Sequence, residues 1–100
     1  MDFLRETLER VLASYAGEML NGYSYLTANT DQTLFAIVDV ARIGNQPLVE
    51  TSLVVRLEGN TIVIERDVNS KPLIDALLEC GISRSQIVLA SGGESTPAAA

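Results

Sequence analysis

The chain has 100 residues, with 13 Asp and Glu against 7 Lys and Arg, a net charge of -6, and no histidine. At this length one domain can form, burying roughly 60–70% of the surface of the unfolded chain, and two cannot. The acidic balance disfavours direct nucleic-acid binding, whose affinity comes mainly from cations that displace counterions from phosphates. The missing histidine removes the commonest general base, the Ser-His and Cys-His pairs and the usual zinc sites.

The first element is a helix, because Leu4, Leu8, Val11, Leu12 and Tyr15 recur at the spacing of one helical face while Arg5, Glu6, Glu9 and Arg10 occupy the other. Asp2 is the expected N-cap and Asn21-Gly22 the expected stop, which predicts a helix over residues 3–19. Four strands follow as an antiparallel meander: 23–28, 34–42, 50–57 and 61–66. Alternation in 49–57 points Val49, Thr51, Leu53, Val55 and Leu57 one way and Glu50, Ser52, Val54 and Arg56 the other. Gly44-Asn45-Gln46-Pro47 and Glu58-Gly59-Asn60 supply the glycine and asparagine that tight hairpin turns use for positive φ. Residues 34–40 are apolar on both faces, which reads as a central strand covered on both sides.

A second helix begins at Lys71-Pro72 with Ser70 as its cap, carries an apolar stripe of Leu73, Ile74, Leu77 and Leu78, and ends at Gly81. Ile82 folds back on the core, Ser83-Arg84-Ser85-Gln86 is a polar connection, and Ile87-Val88-Leu89 is a short last strand. The fold class is therefore α+β, with residues 1–90 as the single domain. Residues 91–100, rich in Gly, Ser, Pro and Ala, are expected to be a flexible tail.

Hydrophobic residues at 47% and a mean hydropathy of +0.21 are high for so short a chain, so a second copy or another protein is expected to cover apolar surface. Cys80 is the one cysteine and cannot form an intrachain disulfide, no secretory signal opens the sequence, and the cytoplasm is the expected address. The longest apolar-rich run, 34–43, holds Asp39 and Arg42 and is far short of the roughly 20 residues that span a bilayer.

The remaining chemistry is sparse. Asp39 is a carboxylate among apolar neighbours, read as a strand-end, rim or Arg42/Arg56-paired residue rather than a perturbed acid. Glu65 and Asp67 stand on one side of a strand end and lack a third ligand for a cation, so a solvated edge is the reading. Cys80, near the C-terminal end of a helix whose dipole disfavours a thiolate, reads as a core or interface residue. Gly92-Gly93 lacks the setting of a phosphate loop. No catalytic residue, cofactor or metal site is expected. A small enzyme or ligand-binding domain using Asp39 or the Glu65 and Asp67 pair is the least favoured reading.

Residues 62–64, then Asp67, thirteen residues, Gly81-Ile82, four residues and Ile87-Val88-Leu89 resemble the C-terminal half of the XisI family, the cyanobacterial fdxN element excision controlling factors. The front half resembles it more loosely, through a helix ending in Tyr15-Ala16, Asn21-Gly22, and a strand over 31–40 leading to Gly44. The resemblance implies a small α+β protein without catalysis. It would act in control of site-specific DNA excision through a XisH-like protein or a recombinase. The chain departs from the family at Gly44-Asn45 (family Gly-Trp), at Val54 or a neighbour (a histidine), at Thr61-Ile62-Val63-Ile64 (Lys-Ile-Trp-Ile), and at Asp67-Val68-Asn69-Ser70 (Asp-x-Thr-Glu). Partner contacts are expected at Asp67, Asn69, Ser70 and Arg84, and an adaptor or structural role in an unrelated cytoplasmic complex is the alternative.

Overall fold

A computed structural model describes residues 3–93. The first helix, α1 (Phe3–Ala13), is followed by five strands in sequence: β1 (Gly17–Met19), β2 (Gly22–Ala28), β3 (Leu34–Ile43), β4 (Gln46–Glu58) and β5 (Thr61–Asp67). Helix α2 (Leu73–Glu79), a 3-10 turn at Arg84–Gln86 and strand β6 (Ile87–Leu89) complete the sheet, and a second 3-10 turn, Ala90–Gly92, lies against β5. Strand order follows the sequence from β1 to β6, every pair antiparallel except β5 and β6. The sheet thus has six strands where a meander of four and a short last strand were expected; the last strand, 87–89, is present and joins the sheet beside β5. The added strand, β1, is three residues long, too short to leave a period-2 signal, and lies where the first helix was expected to continue.

Two helices cover one face. Leu4, Leu8, Val11 and Leu12 of α1 and Leu73, Ala76 and Leu77 of α2 meet Phe35, Ile37, Leu53, Val55, Leu57, Ile62, Ile64 and Ile87 of the sheet in one cluster. Each fully buried leucine there contributes about 2 kcal/mol. The parallel pairing of β5 and β6 requires a crossover, and α2 makes it on the helical side. Leu78, expected in the apolar stripe, is exposed instead, because the seven-residue helix buries Leu73, Ala76 and Leu77 and packs Ile74 beside them.

Helix α1 stops at Ala13, not at 19. Its end tightens into i→i−3 bonds, in which Ser14 N–H donates to Val11 O (3.0 Å), Tyr15 N–H to Leu12 O (2.9 Å) and Ala16 N–H to Ala13 O (3.2 Å). The Ser14 hydroxyl adds a bond to Val11 O at 2.6 Å, and Gly17, at φ +128°, turns the chain into β1. The expected stop, Asn21-Gly22, belongs to the hairpin that pairs Met19 with Gly22. The N-cap expected at Asp2 lies outside the described residues.

In the β3–β4 and β4–β5 hairpins only the glycines, Gly44 (φ +65°) and Gly59 (φ +61°), are left-handed; Asn45 and Asn60 are not. Gln46 and Pro47 already belong to β4. Pro47 is tolerated because β5 pairs β4 only from Leu53 onward, leaving that edge without a ladder partner.

Gly22 is confined by packing rather than by φ. A Cβ there would lie 1.9 Å from Val40 O, a backbone atom that cannot swing away. Gly22→Ala is expected to force β2 and β3 apart and to cost about 2–3 kcal/mol, read as a lower urea midpoint at unchanged slope.

Candidate interaction surface

Pairing across the sheet assigns each side chain to a face, since directly opposed residues share one. Ile37 pairs with Leu53 and Val38 with Thr51, so Ser52 is an extra residue on β4, a β-bulge. Val54 pairs with Arg66 and Val55 with Ile64, so Glu65 is a second bulge on β5. The first bulge overturns the alternation expected in β4. Val49 and Thr51 do not follow Leu53, Val55 and Leu57 into the core but join Val54 and Arg56 on the opposite face.

That face carries the rows Tyr23–Val40–Val49, Tyr25–Val38–Thr51 and Thr27–Ala36–Val54–Arg66. No helix covers it. Tyr23, Tyr25, Val40 and Val49 are 41%, 50%, 40% and 65% exposed, where core residues are under 10%. The two tyrosine rings lie 4.8 Å apart and tilted, a contiguous aromatic surface. Ile43 and Leu48, also exposed, belong to the opposite side of the sheet, beyond the reach of the helices. Strand β3 is interior to the sheet, as expected, but it is covered on one side only. The residues of this surface were visible in the sequence as the two-faced pattern of 34–40 and the alternating Tyr23 and Tyr25. What hid the surface was the bulge, which no residue type announces.

The candidate carboxylates are dispersed, each with a structural partner. Asp39 sits in mid-strand opposite Glu50 and Ser24, and accepts a 2.6 Å bond from the Ser24 hydroxyl; neither a strand end nor an arginine explains it. Glu65 accepts from Arg56 Nε at 2.8 Å, while Arg56 Nη1 reaches Glu58 at 2.6 Å. Hydrogen bonds that Arg56 donates to Glu58 first and Glu65 second raise its pKa further above its already high ordinary value. Asp67 lies on the other face, opposite Leu53, so the expected Glu65 and Asp67 pair does not converge. Among the described residues no group of three His, Cys, Asp or Glu could hold a metal. Cys80 is exposed at the C-terminal end of α2, which overturns its reading as a core residue.

Asp67 caps α2, a role expected of Ser70. Its Oδ2 accepts from Leu73 N–H at 2.7 Å, and its Oδ1 accepts from Asn69 N–H (3.0 Å) and Asn69 Nδ2 (2.9 Å). Asn69 Nδ2 also reaches Ser52 O at 3.3 Å. Pro72 occupies the N-cap with no side-chain bond, so the carboxylate five residues earlier satisfies the first turn instead. At the other end, Gly81 (φ +92°) closes α2 with Gly81 N–H on Leu78 O (3.0 Å) and Ile82 N–H on Leu77 O (3.1 Å).

Of the four residues expected to contact a partner, Asp67 ends β5, Asn69 and Ser70 follow in the next loop, and Ser70 is exposed. Arg84 lies before β6, at the opposite end of this parallel pair, and donates Nη1 to Ile87 O at 2.7 Å. They do not form one surface. Gly92 and Gly93 close the 3-10 turn after β6, with Gly93 left-handed; the rest of the expected tail lies outside the described residues.

Tyr15 ties α1 to α2 by donating its hydroxyl to Lys71 O at 2.9 Å. Burial chiefly, then the charges of Asp67, Asp75 and Glu79, raise its pKa above the ordinary phenol value.

Neither a protein-family model nor a curated protein matches the chain. Solved structures do. A XisI-like protein from Anabaena variabilis superposes with a TM-score of 0.66 at 17% identity, over 93% of this chain and 82% of that one. The fdxN element excision controlling factor XisI from Anabaena variabilis superposes with a TM-score of 0.64 at 18% identity, over 93% of this chain and 90% of that one. The chain has the XisI-like α+β fold in a divergent sequence.

Asp67→Ala is expected to lose about 1–2 kcal/mol and lower the melting temperature by several degrees, while Ser70→Ala stays within about 0.5 kcal/mol; thermal unfolding followed by circular dichroism compares them. Tyr15 supplies a pH dependence. Because its folded pKa is raised, the unfolded chain releases this proton first, so its contribution is complete below about pH 10 and is lost as pH rises through the folded value. Urea unfolding across that range is expected to show a steeper alkaline loss in the parent than in Tyr15→Phe.

Proposed function

We propose that this chain is a non-catalytic regulatory protein that acts through protein contacts in the control of site-specific excision of a DNA element, with a XisH-like protein or a recombinase as partner. The observation that carries the reading is the bare sheet face on a XisI-like fold. It sets valines and tyrosines toward solvent on a sheet whose other face is covered by both helices. The carboxylates that could have served chemistry are used within the fold: Asp39 accepts from Ser24, Glu65 pairs with Arg56, and Asp67 caps α2. Ser70, on the loop that Asp67 and Asn69 hold, and Arg84 at the far end are proposed as separate polar contacts.

One observation favours a second reading, an adaptor in an unrelated complex. Val63, where the family resemblance implies a tryptophan, belongs to the side of the sheet away from the helices, buried opposite Arg56. One position at which the sequence departs from the family thus lies on the side proposed to bind, which supports a changed partner.

Affinity capture of the tagged chain from its native host under gentle conditions, with mass identification, tests both. The expected result is a XisH-like protein or recombinase in stoichiometric amount, lost in Val40→Glu and kept in Leu78→Glu on the helical side. A partner unconnected to DNA rearrangement would transfer the conclusion to the adaptor reading, and a chain recovered alone would refute both.

A further inference from the structure

The uncovered face runs from aromatic to cationic across the strands. Tyr23 and Tyr25 stand on β2, valines and Thr51 fill β3 and β4, and Arg66 stands on β5. Arg66 is exposed with Nε on Thr51 O at 2.6 Å, which holds it toward the apolar rows. Arg42 continues the β3 row opposite Pro47. Carboxylates stand on this side only at the margins of the rows, Glu18 opposite Tyr23 and Glu58 and Glu65 on Arg56, although the chain as a whole carries a charge of -6. Charge of either sign thus stands only at the margins, so neither a strongly acidic nor a strongly basic surface matches the apolar centre. The surface that fits is one with β-branched side chains at its centre, a π face at one margin and a guanidinium at the other.

The chain itself presents that surface. We infer that this face pairs with a second copy of the chain, sheet against sheet, about a two-fold axis lying between the sheets. An axis along the strands sets β2 of one copy over β5 of the other. Val40 then meets Val49 of the second chain, and each Arg66 approaches the tyrosines of the other, a cation–π arrangement made twice by symmetry. The arrangement leaves both helical layers outside.

Size decides how tight the pairing is. Four strands spaced about 4.8 Å apart and roughly six residues long give a face of about 400 Å² in projection per copy. That is below the ~800 Å² per partner of a standard interface, so side-chain relief brings the pair only to the lower end of specific association. The dimer is therefore expected to exchange with monomer in the range of about 10–100 μM rather than to be permanent. The inference rests on reading this face as a contact surface but not on any other protein, so it is measured on the purified chain alone. Failure of the capture experiment leaves it standing, and its own failure leaves a heterologous partner standing.

Sedimentation equilibrium of the full chain from about 1 to 300 μM is the test, with twice the 10.8 kDa of one chain as the expected upper limit. Val49→Glu is expected to weaken association at least 30-fold, Arg66→Ala several-fold, and Leu78→Glu not at all. Because a charge in a strand could disturb folding, amide chemical shifts of the unsubstituted chain are followed on dilution as well. Shifts confined to Tyr23, Tyr25, Val38, Val40, Val49 and Thr51 support the pairing. A monomer at every concentration overturns it, as does an assembly broken by Leu78→Glu or one whose dilution shifts fall on α1 and α2.

Discussion

Ser52 is one residue more on β4 than β3 can pair, and its carbonyl oxygen organises the chain between β5 and α2. That oxygen accepts Val68 N–H at 3.0 Å and Asn69 Nδ2 at 3.3 Å, fixing the backbone as it leaves β5. Asn69 in turn donates to Asp67, whose second oxygen holds the first turn of α2. A bulge in the middle of the sheet is thereby coupled to the placement of a helix on it. Inside a protein an unpaired carbonyl is costly, so the extra residue and the loop that satisfies it depend on each other.

The same bulge separates the two faces. Before it, Leu48 and Glu50 lie on the side of the helices and Val49 and Thr51 on the other; after it, Leu53, Val55 and Leu57 enter the core. Without the extra residue, the core positions of β4 would carry Val49 and Thr51 into the same layer, and the exposed face would lose the centre of its apolar rows. The helical layer is fully used by α1 and α2, which gather the buried leucines into one cluster. The uncovered apolar face is therefore a consequence of how the core is built, because the second face of an apolar strand has no further element of the described chain to cover it.

Much of the fold was legible. The spacing of Leu4, Leu8, Val11 and Leu12 gave the inner face of α1, Gly81 gave the end of α2, and β2 to β5 were found with ends displaced by a few residues. The errors have local causes. Tyr15 fits the helical spacing of α1 yet stands in a tightened turn, where its hydroxyl reaches Lys71 O across to α2. Ser70 has the composition of a cap, but Asp67 reaches the Leu73 N–H first, and both are allowed by a local reading. The candidate site was legible only in its parts: Tyr23, Tyr25, Val38 and Val40 each read as strand residues, with nothing to say that they share an open face.

By itself, the amino-acid order determined the alternation of strand and helix, the positions of the glycine-dependent turns, and a surplus of apolar residues that one small core cannot absorb. Those arise from local sterics and from periodicities of 2 and 3.6 residues, which act between neighbours in the chain. Tertiary structure alone decided the shift at Ser52, the parallel addition of β6, the capping of α2 by Asp67, and so which valines and tyrosines face water. Each of these depends on a hydrogen bond or a pairing between residues brought together by the fold, and such partners are chosen only when the strands meet.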